Sequence, residues 1–253
     1  MRILIITQNE PFYLSNNLNY LFTNLPTDHK VVGCLVADAS PFGKKESFIT
    51  KVLNTKKIFG LNFFMYYSLK FIFSKLFKKS VKRVLKDFNI PLIEIQGSIN
   101  SIRNLDLISS FKPDLLVSIL GNQIFKKPLL EIAPNGCINL HTALLPKYRG
   151  LMPSFWVLKN NEKYTGVSVF YVDKGIDSGP IIVQEKVEIG NRTQEQLIKH
   201  TKKIGMDCIL MAIDLINSNN VKLIENNPKD KTYFSFPTKN DVRVFKQLGK
   251  RFF

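Results

Sequence analysis

Short apolar runs alternate with stretches of helical spacing along the first three quarters of the chain. The runs predict seven strands, at Arg2–Thr7, Val31–Val36, Pro91–Ile95, Leu115–Leu120, Cys137–Leu140, Gly166–Val172 and Ile181–Val187. Helical spacing appears at Asn16–Phe22 and around Ser101–Phe111. Strands that alternate with helices indicate an α/β fold whose sheet is mostly parallel and covered by helices on both faces. In such sheets, ligands bind at the carboxyl ends of the strands.

A long helix and a polar tail follow these strands. Thr193 and Gln196 have the spacing of a capping box, and the apolar positions after them predict a helix that ends near Ser218. Asn219–Lys231 is a polar connector, and an aromatic and basic tail follows it. We therefore expect a main domain over residues 1–190 and a small C-terminal extension over residues 191–253.

Residues 58–77 form an apolar segment rich in aromatic side chains. Lys70 and Lys75 interrupt it, and a membrane span needs about 20 apolar residues without such charges. We expect an internal helix whose aromatic rings join the core. The alternative is an amphipathic helix that lies on a membrane or on a partner subunit. Such a surface, or the aromatic tail, would also suit a homodimer interface.

The net charge of +16 is concentrated in one part of the chain. Between Lys44 and Asp87 the sequence has twelve Lys or Arg residues and two acidic ones. This basic insertion, at about residues 41–88, would attract a nucleoside diphosphate, nucleic acid or an anionic membrane, unless it is only a solvated surface. The three cysteines lack the spacing of metal ligands, and no secretory signal is evident. We expect a cytoplasmic protein without a metal.

The strongest chemical signal is a set of polar residues at the ends of neighbouring apolar runs. Asn139 and His141 lie two apart on a predicted strand, so they point to the same face. An amide can donate to a developing oxyanion, and an imidazole can donate to that oxygen or accept a proton. Asp177, after the next strand, can orient the imidazole. Together these groups suffice for acyl transfer to an amine.

The motifs around these residues resemble the folate-dependent formyltransferase family. They read Asn-x-His at 139–141, Leu-Leu-Pro-x-Tyr-Arg-Gly at 144–150 and Asp-x-Gly-Pro at 177–180. The resemblance implies a Rossmann-like formyltransferase fold, a catalytic trio of Asn139, His141 and Asp177, and 10-formyltetrahydrofolate as the donor. It also implies a pterin pocket that includes Gln123, Ile124, Phe125 and Asp173.

Two departures from the family pattern concern the acceptor and the site. The loop after the first strand, residues 7–14, has no glycine, whereas the glycinamide ribonucleotide enzymes use a glycine-rich loop there to hold a phosphate. Phe170 stands where family members commonly have a histidine. A second imidazole near Asp177 is therefore not expected.

The resemblance favours the sugar-nucleotide N-formyltransferase branch. The acceptor it implies is an amino dideoxy sugar on a nucleoside diphosphate, with dTDP-4-amino-4,6-dideoxyglucose as the leading example, for surface polysaccharide synthesis. The predicted acceptor contacts are Asn9, Tyr148, Arg149, Tyr233, Phe234, Phe236 and Lys239. The alternatives are a methionyl-tRNA formyltransferase-like enzyme with a shortened C-terminus and a non-catalytic module that binds nucleotide sugar or folate. We expect no nucleic acid partner.

Overall fold

The computed structural model describes residues 1–37, 48–77, 80–95 and 97–253. Its strands are β1 Arg2–Gln8, β2 Lys30–Ala37, β3 Leu92–Ile93, β4 Leu115–Ile119, β5 Cys137–His141, β6 Arg149–Gly150, β7 Tyr164–Tyr171, β8 Ile181–Glu188 and β9 Tyr233–Phe234. Its helices are α1 Leu14–Asn24, α2 Phe48–Phe59, α3 Leu61–Phe77, α4 Val81–Asp87, α5 Ile102–Ser110, α6 Lys127–Leu130, α7 Pro153–Lys159, α8 Gln194–Asn217 and α9 Lys239–Gln247. Residues 41–47 and 78–79 of the predicted basic insertion lie outside the described part of the chain.

The seven predicted strands form one sheet in the order β3-β2-β1-β4-β5-β7-β8. The first five of these are parallel, and β7 and β8 add antiparallel pairs at one side. The predicted α/β class with a mostly parallel sheet is confirmed. β3 is shorter than predicted because only Leu92 and Ile93 pair with β2. The division into a main domain and a C-terminal extension stays a prediction.

Alternate residues of the central strands pack on opposite faces of the sheet. Ile3 and Ile5 join a core with α1, α4 and α8, whereas Leu4 and Ile6 join a second core with α5 and α6. Because β1 pairs with β2 on one side and β4 on the other, the strand order reverses between β1 and β4. Ligand clefts form outside the strand ends at such a point.

The long helix begins as the sequence predicts. Thr193 Oγ1 accepts a hydrogen bond from the Gln196 backbone (3.3 Å), and Gln196 Oε1 accepts one from the Thr193 backbone (2.9 Å). A second capping box, of Thr238 and Asp241, opens α9 in the region predicted only as an aromatic and basic tail. Its Thr-x-x-Asp spacing was the signal that could have revealed this helix.

The aromatic segment at residues 58–77 forms the end of α2 and all of α3, with a break at Gly60 (φ 90°). Phe59 is buried, and its ring stacks on Phe63 at 4.4 Å between ring centroids. Phe73 and Phe77 are 56% and 70% exposed. The expectation that the aromatic rings join the core is therefore right for the first half of the segment and wrong for the second. Within the described residues, no helix combines the length and apolar character that a bilayer crossing requires.

Candidate active site

A cavity of about 750 Å³ opens at the carboxyl ends of the central strands. That volume is in the range of small-molecule binding sites. Its walls come from the end of β1, the loop after β4, the end of β5, the loop after β7, and parts of α2 and α8. Asn139, His141 and Asp177 all line it. The structure thus brings the three predicted catalytic side chains to one cavity.

Asn139 and His141 share one face of β5. Leu140, which lies between them, packs against the core that Ile138 forms with α8, so Asn139 and His141 point to the opposite face of the strand. Across the ladder, Asn139 lies opposite Phe170 and His141 lies opposite Ser168. Phe170 is buried against Leu145 and Ile181, and it also lines the cavity. An apolar ring therefore lies beside Asn139, as the sequence indicates.

Both ring nitrogens of His141 have a partner. Nε2 lies 2.7 Å from the carbonyl oxygen of Tyr148, and Nδ1 lies 3.6 Å from Asp177 Oδ2. A carbonyl oxygen only accepts, so Nε2 carries a hydrogen. Nδ1 faces the Asp177 carboxylate at a distance slightly longer than a hydrogen bond, so this carboxylate can orient the ring. The ring and the carboxylate are both largely buried, which strengthens their interaction.

Asp177 is held by its backbone and by its side chain. Its φ of 48° lies in the left-handed region, and its Oδ2 accepts a hydrogen bond from the Gly150 backbone at 2.8 Å. Asn226 Nδ2 donates to the backbone oxygens of Asp177 (3.0 Å) and Gly179 (2.9 Å). Asn226 is buried in a segment that the sequence marked only as a polar connector. No sequence signal distinguished it.

The four predicted pterin-pocket residues all line the cavity. Gln123 Oε1 accepts a hydrogen bond from the Ile99 backbone (2.9 Å), which fixes the loop after β4. Asp173 Oδ1 accepts from the Gly175 backbone (2.9 Å) and from Ser178 Oγ (2.6 Å), which closes the turn that contains Asp177. Ile124 is exposed and Phe125 is buried. The loops after β4 and β7 thus form two adjoining walls.

The predicted acceptor residues are mostly set back from the cavity, because among them only Phe236 lines it. Arg149 is buried, and its Nη2 donates to Asn226 Oδ1 at 2.7 Å. Tyr148 donates its hydroxyl to Glu162 (2.6 Å), and its ring stacks on Phe234.

The remaining three predicted acceptor residues are exposed. Tyr233 is on β9, Lys239 begins α9, and Asn9 follows β1. None of them lines the cavity.

The loop after β1 holds an anionic group of its own. The Glu10 carboxylate accepts hydrogen bonds from the backbone nitrogens of Phe12 (3.0 Å), Tyr13 (2.8 Å) and Leu14 (2.9 Å) at the start of α1. Backbone N–H groups at a helix N-terminus are a favoured site for phosphate. Here they are satisfied by the side chain of Glu10.

Lys202 is a cavity residue that the sequence did not single out. Among the described residues, it is the one Lys or Arg that lines the cavity. It extends from α8, over the Tyr13 ring, with its Nζ 5.3 Å from the ring centroid. Burial lowers the pKa of the Lys202 ammonium, and the Glu10 carboxylate opposes that shift. No described carboxylate forms an ion pair with it.

The sequence model of the formyl transferase family matches residues 80–213, which is more than half of the chain. The chain belongs to the formyl transferase family. The match includes β4, β5, β7, β8 and most of α8, and therefore the three residues Asn139, His141 and Asp177. Residues 1–79, which contain β1 to α3, lie outside it.

Two relatives of similar sequence are methionyl-tRNA formyltransferases. The methionyl-tRNA formyltransferase of Alkaliphilus oremlandii is 36% identical over 167 residues, which are 66% of this chain and 54% of that protein. The corresponding enzyme of Kosmotoga olearia is 33% identical over 71% of this chain and 58% of that protein. The chain spans about half the length of the curated relatives it matches.

Solved structures share the fold at lower identity. One is the N-formyltransferase from Helicobacter canadensis in complex with folinic acid and dTDP-3-aminofucose. The structural match covers 98% of this chain and 80% of that one, with a TM-score of 0.60 and 20% identity. Another is the phosphoribosylglycinamide formyltransferase from Anaplasma phagocytophilum. This match covers 94% of this chain and 99% of that one, with a TM-score of 0.63 and 16% identity.

Proposed function

We propose that this protein transfers a formyl group from 10-formyltetrahydrofolate to the amine of a nucleotide-linked amino dideoxy sugar. The observation that carries the proposal is the convergence of Asn139, His141 and Asp177 on one cavity. Family membership supports the same type of reaction. The non-catalytic alternative has no comparable support, because a binding module does not need an imidazole placed between a carbonyl oxygen and a carboxylate.

In the proposed reaction, the amine attacks the formyl carbon and the bond from that carbon to the folate nitrogen breaks. The amine loses a proton, and the folate nitrogen gains one. Asn139 donates its amide N–H to the developing oxyanion, and the His141 imidazole, oriented by Asp177, stabilises the same charge. Asp177 Oδ2 faces His141 and accepts the hydrogen bond from the Gly150 backbone. Its Oδ1, which no described group engages in a hydrogen bond, takes the amine proton.

The donor is proposed to bind between the loops after β4 and β7. A pterin is flat and carries several hydrogen-bonding groups, so a slot lined by backbone suits it. Gln123 and Asp173 each hold their own loop in shape, as their hydrogen bonds to Ile99 and to Gly175 indicate. The Helicobacter canadensis protein, which shares this fold, is described in complex with folinic acid.

The acceptor is proposed to bind with its negatively charged diphosphate beside Lys202 rather than beside the loop after β1. The Glu10 carboxylate already occupies the backbone donors at the start of α1. Lys202 instead offers an ammonium to the cavity from α8. A diphosphate would restore the charge balance around that ammonium. Phe236, which lines the cavity and is partly exposed, offers an apolar ring to the nucleoside.

A methionyl-tRNA acceptor is the second candidate. The curated relatives described above are methionyl-tRNA formyltransferases, and the net charge of +16 would favour nucleic acid. The solved sugar N-formyltransferases support the first candidate, since one covers 98% of this chain.

The test measures folate release when the purified protein is mixed with 10-formyltetrahydrofolate and dTDP-4-amino-4,6-dideoxyglucose. Initiator methionyl-tRNA is offered in a parallel reaction. We expect turnover with the sugar and its loss in His141→Ala, whereas His200→Ala, which changes a histidine outside the cavity, should remain active. Formylation of the tRNA alone would favour the second candidate. Binding of both ligands without turnover would favour the non-catalytic module.

The role of Lys202 is tested separately with Lys202→Met. The KM for the nucleotide sugar should be about tenfold higher in this variant, because about one charge-assisted hydrogen bond is lost. The change in kcat should be much smaller. Lys203→Met, at the exposed neighbouring position of α8, is the matched control. An unchanged KM in Lys202→Met would place the diphosphate elsewhere.

A further inference from the structure

Helix α3 has an exposed apolar face that runs along its whole length. Seven apolar side chains of α3 are each more than half exposed: Leu61, Met65, Leu69, Ile72, Phe73, Leu76 and Phe77. Their spacing of three or four residues puts them along one side of the helix. Asn62 is the polar residue that interrupts this side. Contiguous exposed apolar surface of this kind marks an interaction site.

The opposite side of α3 attaches the helix to the body of the protein. Tyr66 Oη donates to Glu195 Oε2 at 2.8 Å, and Lys70 Nζ lies 3.0 Å from Glu195 Oε1, so both residues bind α8. Phe63 packs edge-on against Phe252 at 4.9 Å between ring centroids. Ser74 Oγ donates to the carbonyl oxygen of Pro11. The exposed face is therefore not needed to hold α3 in place.

The charge around this face has one sign. Residues 47–86 contain ten Lys or Arg and no Asp or Glu. Within the described part of that range, Lys75 is exposed and borders the apolar face by helical geometry. Lys56 and Lys57, at the end of α2, are also exposed. An apolar helix face with basic residues beside it is the pattern of a helix that lies in the interface of an anionic membrane.

We propose that the outer face of α3 binds the surface of an anionic lipid membrane, with its apolar side chains among the headgroups and the neighbouring lysines on the lipid phosphates. A second copy of the chain would also cover apolar surface. It would however bring two basic segments of the same sign together, which opposes association. An anionic bilayer supplies the complementary charge. This inference does not depend on the proposed reaction.

The experiment is flotation of the full chain with vesicles of phosphatidylcholine alone and of three parts phosphatidylcholine to one part phosphatidylglycerol. We expect flotation with the anionic vesicles only, and weaker flotation at high salt. The triple variant Leu69→Ser, Ile72→Ser, Leu76→Ser should reduce the bound fraction at least about tenfold, since it removes apolar contact with the bilayer. The control triple variant Ile102→Ser, Leu223→Ser, Leu248→Ser changes exposed apolar residues outside this face and should float like the wild type.

A charge variant, Lys56→Glu, Lys57→Glu, Lys75→Glu, should lose flotation with anionic vesicles while keeping its thermal unfolding midpoint. Absence of wild-type flotation with the anionic vesicles would overturn the proposal. Equal losses in the two serine triple variants would also overturn it. Analytical ultracentrifugation tests whether a second copy of the chain covers this face instead. If the wild type is a dimer that does not float, and only the α3 triple variant is a monomer, the face binds a second copy.

Discussion

Asn226 holds Asp177 through a hydrogen bond of 3.0 Å from its side-chain nitrogen to the Asp177 backbone oxygen. The same nitrogen donates to Gly179 (2.9 Å), and Asn226 Oδ1 accepts from Arg149 Nη2 (2.7 Å). One buried amide thus joins three segments that are distant in sequence. Its two contacts with the turn after β7 determine where the Asp177 carboxylate can lie relative to His141.

Asn226→Asp tests this positioning role without a change of size. The carboxylate can still accept from Arg149, but it cannot donate to the two backbone oxygens of the turn. We expect kcat for formyl transfer to fall by about tenfold or more, because a small displacement of a catalytic group is costly, with a smaller change in KM. Asn227→Asp is the control, since an aspartate there can keep the cap that Asn227 Oδ1 makes on the Lys229 backbone (2.9 Å). Equal kcat values in the two variants would contradict the role.

Asp177→Asn tests the carboxylate itself. The amide oxygen can keep the hydrogen bond from the Gly150 backbone, but the negative charge beside His141 Nδ1 is lost. The His141 ring then loses the carboxylate that orients it, and the amine loses its proton acceptor. We expect kcat to fall by about 100-fold or more, with the folate dissociation constant changed much less. Steady-state kinetics and a folate binding titration separate the two effects, and a loss confined to folate binding would assign Asp177 to the donor pocket.

The sheet could be predicted from the sequence because its strands are short apolar runs bounded by turn residues. Arg2–Gln8 and Ile181–Glu188 differ from the predicted strands by one residue at an end. The exposed face of α3 could not be predicted, because an aromatic helix in the core and one on the surface have the same composition. Only the contacts of Phe63 and the exposure of Phe77 distinguish the two halves.

The positions of Asn139, His141 and Asp177 at one cavity follow from motif and strand periodicity together. The residues predicted to contact the acceptor could not be placed from the motif in the same way. Tyr148 and Arg149 belong to the motif, yet their side chains bind Glu162 and Asn226 instead of facing the cavity. A motif records which residues a site needs, but it does not say whether they touch the ligand or support the residues that do.

Gly150 is required by backbone geometry at the point where β6 meets β9. Its φ of 96° is unfavourable for other residues, and a Cβ there would overlap the carbonyl oxygen of Phe234. Gly249 also has a positive φ, of 71°, but a Cβ there would meet nothing within 4 Å. We expect Gly249→Ala to lower the free energy of unfolding by about 1–2 kcal/mol. Gly150→Ala should cost clearly more in a denaturant titration and also reduce activity, because its N–H binds Asp177. Equal losses of stability in the two variants would show that the structure around residue 150 moves to relieve the overlap with the added Cβ.

Glu10→Ala would expose the backbone donors at the start of α1. We expect a loss of about 1 kcal/mol in the free energy of unfolding, as for the removal of a helix cap. The freed N–H groups should then bind an anion, so inorganic phosphate should raise the thermal midpoint of the variant more than that of the wild type. Glu225→Ala, at an exposed position, is the control. Equal phosphate effects in all three proteins would show that Glu10 does not block an anion site.

Glu195 fixes α3 to α8 and should make stability depend on acid pH. Burial alone would raise the pKa of its carboxyl, but hydrogen bonds from Lys199, Tyr66 and Lys70 lower it from 4.5 to about 2. A pKa that is lower in the folded state stabilises the protein at pH values above the unfolded pKa, and this contribution is lost as the pH falls through the folded pKa.

Glu195→Gln removes this contribution, and Tyr66→Phe removes one of its three hydrogen-bond donors. The difference in free energy of unfolding between wild type and Glu195→Gln should therefore be constant above about pH 5, and it should shrink as the pH falls from about 4.5 toward 2. Tyr66→Phe should show a smaller difference over the same window. Denaturant titrations at a series of pH values measure both. A difference that stays constant down to pH 2 would mean that the Glu195 carboxylate is not stabilised by its three neighbours, and that α3 is held by its other contacts, such as those of Phe63 with Phe252 and of Ser74 with Pro11.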